Sequence, residues 1–122
     1  MSEDRLLDFI RGWASALATY DVPSADRLAL QASLVRLGAH LQDDIEAEQR
    51  PCPAGCEAVQ QHLLEAHGLY LQAVELLYLA AGGGFVDLGA CVAAAEEASD
   101  LLWATEELLS WSAQERALAN CA

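Results

Sequence analysis

The sequence predicts an all-α protein, an antiparallel up-down four-helix bundle. Three observations lead there. Ala and Leu dominate while Val, Ile and Thr are sparse, a balance that favours helix over strand. Apolar residues recur at spacings of three and four along four separate stretches. Short breaks marked by Pro or Gly separate these stretches, and short connections make sequential helices antiparallel neighbours.

The first helix is predicted from about Glu3 to Tyr20. Ser2 suits its N-cap, and Glu3 and Asp4 fall in the first turn, where the helix dipole favours anions. Leu6, Ile10, Trp13, Leu17 and Tyr20 form its apolar stripe. Asp21-Val22-Pro23-Ser24 breaks the chain, because Pro23 cannot continue the incoming helix and Ser24 can cap the next. The second helix, from about Ala25 to Gln49, carries Leu30, Leu34, Leu37, Leu41 and Ile45 inward. Pro51 ends it, and Pro53 suits the first turn of the third. That helix, from about Ala54 to Ala81, points Val59, Leu63, Ala66, Tyr70, Val74, Leu77 and Ala81 inward. Gly82-Gly83-Gly84 is a strong stop. The fourth helix, from about Val86 to Leu118, is expected to bury Leu88, Val92, Ala95, Ser99, Leu102, Leu109 and Ala113.

The 122 residues carry six Arg, no Lys and nineteen acids, a formal net charge of −13. This length suits one domain over 1–122, able to bury a core without metal or disulfide staples. An apolar fraction of 54 % excludes a disordered acidic chain. The sign of the charge argues against a nucleic-acid partner, which needs clustered cations, and against an anionic membrane surface. The longest apolar run, Leu76 to Val86, is too short to span a bilayer. The segment Met1-Ser2-Glu3-Asp4-Arg5 is acidic where a secretory signal is basic, so a cytoplasmic protein is expected. The charge is also uneven. Residues 1–50 hold nine acids and five Arg, whereas residues 51–115 hold ten acids and no Arg or Lys.

The last two helices carry more apolar surface than one bundle seam needs. Leu64, Leu71 and Tyr78 form a second column on the third helix. Leu101, Ala104, Leu108 and Trp111 lie away from the inward stripe of the fourth, beside an acidic column of Glu96, Asp100 and Glu107. Surplus apolar surface of this kind marks an interaction site, here a homodimer face or a docking surface for a partner helix. The neighbouring acids suit a partner with a basic surface.

Polar residues offer a second reading. Glu106 falls on the predicted inward stripe between Leu102 and Leu109, and a buried carboxylate must be paired, protonated or metal-bound. Counted along the helical hairpins, it lies level with the turn of His62, which in turn lies level with Asp44. Asp44, His62 and Glu106, with His40 and Glu48 nearby, are thus the candidate ligands of a transition metal ion. The Glu-x-x-His motif of di-metal bundles is absent, and the simpler expectation is a Glu106–His62 pair that fixes helix register. His67 invites comparison with the phosphotransfer bundles. Their motif places a cation three residues on and a small residue four on, where this chain has Tyr70 and Leu71.

Cys52 and Cys56 make a C-x₃-C in the second break, short of the four ligands of a structural zinc site. Cys121 is expected at the same end of the bundle, and Cys91 within the core. No phosphate-binding glycine loop or nucleophile elbow occurs. The sequence therefore suggests a small acidic, non-enzymatic interaction module, homodimeric or bound to a basic protein partner. The alternative is a metal-binding bundle.

Overall fold

The computed structural model describes residues 2–51 and 55–121, with the side chains of 5–51 and 55–109. Four helices follow one another: α1 (Ser2–Thr19), α2 (Ser24–Glu48), α3 (Glu57–Ala81) and α4 (Leu88–Cys121). Among the described residues there is no strand, and no helix is long and apolar enough to cross a membrane. Helices α2 and α3 pair in opposite order, and so do α1 and α4. Gln31 of α2 meets Tyr78 of α3 while Glu48 meets Gln60 and His67. Arg11 of α1 meets Glu96 of α4, and Leu6 shares a cavity with Leu102.

All four helices contribute to one apolar core. Helix α3 is its axis and packs against each of the others, most extensively against α4 and then α2. Its buried face is Ala66, Tyr70, Ala73, Val74, Leu77 and Ala81, the predicted stripe widened by Ala73. In α2 the predicted stripe also holds, with Leu30, Leu34 and Leu41 buried. Helix α1 rests on α4 and less on α3, and its backbone does not closely approach α2. The α1–α2 seam is instead bridged by side chains, with Phe9 and Trp13 facing Asp26, Ala29 and Leu30 around a small cavity. The buried stripe of α1 is accordingly rotated from the predicted one. Leu7, Ile10 and Ala14 are buried, Leu6, Trp13 and Leu17 flank them, and Tyr20 lies exposed beyond the helix end.

Helix α4 departs further. Among its described side chains, Cys91, Ala94, Ala95, Ala98, Ser99, Leu102 and Thr105 are buried. At ~100° per residue they span an arc of about 140°, wide enough to serve both α3 and α1. The arc is made almost wholly of small side chains, which lets two helices come close at once. Leu109, predicted inward, is exposed.

The helix ends are set by backbone chemistry. Ser24 does not cap α2; it is the first helical residue, and Pro23 holds the N-cap position without a side-chain bond. Helix α3 starts later than predicted. Gly55 takes a φ of 93°, which no helix continues, and donates its N–H to the Glu57 carboxylate at 2.9 Å. At the other end, Gly83 takes a φ of 89°. There Gly84 N–H donates to Leu79 O (2.9 Å) and Gly83 N–H to Ala80 O (3.1 Å), the paired bonds of a Schellman stop. Asp87 starts α4 by accepting the Ala90 N–H at 3.2 Å.

Two glutamines tie α2 to α3 reciprocally. Gln31 of α2 donates to the Tyr78 carbonyl in the last turn of α3 (3.2 Å). Gln60 of α3 donates to the Glu48 carbonyl at the end of α2, and to Arg50 O at 2.7 Å. Gln31 thus adds a second donor to the Tyr78 carbonyl, which also accepts the Gly82 N–H (3.1 Å), and Gln60 satisfies carbonyls at the end of α2 and just beyond it.

Two neighbouring leucines separate core from surface. Leu77 is fully buried, so Leu77→Ala is expected to cost about 2–5 kcal/mol in urea unfolding. Leu79 is exposed, so Leu79→Ala is expected to cost under about 1 kcal/mol in the same measurement.

Candidate functional site

The predicted carboxylate and imidazole set does not assemble. Glu106 is exposed, and Thr105 takes the buried position assigned to it. Thr105 is only 2 % exposed because its hydroxyl donates to Leu101 O at 2.8 Å, satisfying itself within its own helix. His62 is half-buried, and its Nδ1 is buried with no hydrogen-bond partner. Asp44 is exposed and rims a cavity of about 180 Å³ with His40, His67, Tyr70 and Leu102. Among the described residues, no group of three or more His, Cys, Asp or Glu is placed to hold a metal ion. The expected convergence of Asp44, His62 and Glu106 is corrected on this point.

The histidine that does acquire a carboxylate is His67. Its Nδ1 donates to Glu48, 2.8 Å from each carboxylate oxygen, with the two side chains 17 % and 16 % exposed. The pair joins the end of α2 to the middle of α3, close to the Gln60 clamp. It takes the register-fixing part expected of Glu106 and His62. Arg11 and Glu96 form a more exposed pair between α1 and α4 at 3.4 Å, a geometry that contributes little stability.

Cys91 is fully buried, and its thiol donates to Ala73 O at 3.2 Å. Burial pushes this thiol above its ordinary value, against a smaller lowering by the Leu77 backbone. Cys91 is therefore a small core residue held protonated. Cys56 is exposed and free. The side chains of Cys52 and Cys121 lie outside the described residues, and so does the cluster expected of them.

The surplus apolar columns meet different fates. Leu101 is half-buried and packs against the core, and Leu64 is half-buried. Leu108 is exposed, and the Trp111 side chain lies outside the described residues. Leu71 and Tyr78 together form one wall of an open groove of about 480 Å³ between α2 and α3. Val74, Glu75 and Leu79 complete that wall, and Leu34, Val35, Gly38 and Gln42 form the other. Val35 is 59 % exposed and Leu79 55 %. A separate hollow lies nearer the start of α2, lined by Arg27, Leu28, Gln31 and Gly82. The α2 wall escaped the sequence reading. Its signal was the run Leu28, Val35, Gln42 at spacing seven, out of phase with the buried leucines of the same helix.

Gly38 forms part of the groove floor. An added Cβ there would stand 3.8 Å from Leu71 Cδ1 and 3.9 Å from Val74 Cγ1, ordinary contact distances. The fold itself therefore admits alanine at this position, and alanine would be the better helix former by about 1 kcal/mol.

Two substitutions separate the observed polar pairing from the expected one. Glu48→Gln is expected to destabilise the chain by about 1–3 kcal/mol in denaturant unfolding, because His67 loses a charged acceptor in a mostly buried position. A double-mutant cycle with His67→Ala should return a coupling energy of at least about 0.5 kcal/mol. Glu106→Ala should stay within about 0.5 kcal/mol of the parent, as expected of an exposed residue without a buried partner.

No family model matches the chain, and comparison with curated proteins and with solved structures returns no match.

Proposed function

We propose that the chain is a small acidic, non-enzymatic interaction module that docks another protein in the groove between α2 and α3. The observation that carries this reading is the groove itself. Its volume of about 480 Å³ is walled mostly by apolar side chains from two helices and left uncovered by the other described residues. Open apolar surface of this extent is a common mark of a binding face. Several polar side chains around the predicted site support the same reading, since they have local roles. His67 and Glu48 hold two helices together, Thr105 bonds its own helix, and Glu106 faces water. Self-association through the same apolar face, giving a homodimer, belongs to this reading as well.

Site-specific photo-crosslinking tests it. A photoreactive residue at Val35 or Leu79, in the cells that make the protein, is expected to give a discrete adduct with another polypeptide. The same residue at Glu106 is expected to give none. Equal yields at all three positions, or no adduct at the groove, would overturn the proposal.

A further inference from the structure

We infer that the occupant of the α2–α3 groove is a basic amphipathic helix supplied by a different protein, not a second copy of this chain. The inference rests on the docking reading above and names the partner's chemistry.

Shape supplies the first argument. On α2 the groove runs from Leu34 to Gln42, about 12 Å at 1.5 Å per residue, or some two turns of an accommodated helix. A trough between two antiparallel helices presents apolar positions about one heptad apart, as Leu71 and Tyr78 do here, and so matches a helix with anchors at i, i+3/i+4 and i+7.

Gly38 supplies the second. The free chain gains nothing from glycine at this position: φ is not positive, no neighbour crowds a Cβ, and a helix-interior glycine costs stability. What glycine does provide is a floor one methyl group lower, beneath the mouth of the groove.

Charge decides between the occupants. Glu75 is the charged side chain in the groove wall. Glu46 lies one turn beyond Gln42 on the same face of α2, and residues 51–115 carry no Lys or Arg with which to answer an acidic ligand. Arg27 lies beside Leu28 beyond one end, whereas Glu75 is level with the Val35 turn in the middle of the groove, so the cations of the occupant belong from its middle toward Gln42 and Glu46. A second copy would bring the same acids face to face and set a charge of −13 against another −13.

A displayed library of helical peptides tests the inference. The library keeps leucine at the anchor positions and randomises the rest, and the intact chain selects from it. Selected peptides are expected to be rich in Lys and Arg. Their affinity should fall about tenfold or more for Leu79→Glu and for Gly38→Ala. Gly38→Ala should at the same time melt no lower than the parent, which separates a filled groove from a damaged fold. Association rates should fall as salt is raised. Groove-dependent peptides that are neutral or acidic would overturn this inference while leaving the docking reading intact. So would self-association of the chain that Leu79→Glu abolishes. Selected peptides that bind both variants as well as the parent would overturn the docking reading too.

Discussion

The close approach of α4 to α3 governs the rest of the molecule. It is possible because α4 buries Cys91, Ala94, Ala95 and Ala98 where larger side chains would hold the helices apart, and α3 answers with Ala66 and Ala73. Small residues over a wide arc leave room for α1 on the same helix. With α4 serving two neighbours, α1 sits toward α4 and away from α2. Helix α2 is then left with α3 as its main support, and one flank of the α2–α3 pair stays open to solvent. The groove is thus a geometric result of how α3 is shared, since α3 has three partners and a surface broad enough for more.

Much of this was legible in the sequence, and the failures have physical causes. The breaks were clear because Pro23 cannot continue a helix and three successive glycines gain little from staying in one. The stripes of α2 and α3 were clear because Leu and Tyr alternate there with polar residues. Helix α4 was not, since a run rich in Ala offers little contrast between faces. The predicted Ala95, Ser99 and Leu102 are buried, but the buried arc also extends to the side of Ala94 and Ala98, and on that side Thr105 is buried where Glu106 is exposed. That difference removed the predicted metal ligand and placed on the inner face a hydroxyl that bonds backward to its own helix. Helix α1 erred more mildly. A periodic stripe reveals which face is apolar, but not that two partners of unequal closeness would rotate it.

The polar contacts between helices were the least legible. Gln31 and Gln60 look like ordinary surface residues in sequence, because nothing local marks a side chain that reaches the last turn of a neighbouring helix. Glu48 was placed near the candidate set around His62, yet its partner proved to be His67, five residues further along the same helix. Helix level can be counted from a turn to within about a turn, and that uncertainty is as large as the spacing between His62 and His67.

The reciprocal glutamines have a mechanical consequence. A slide of α2 along α3 by one turn, about 5.4 Å, would break the Gln31 bond to Tyr78 O and both Gln60 bonds, to Glu48 O and Arg50 O, together. The two helices therefore behave as a single splinted plank, pinned near both ends and unable to shear. Anything that lies between them meets a slot of fixed width, and little of its binding energy is spent in setting the walls.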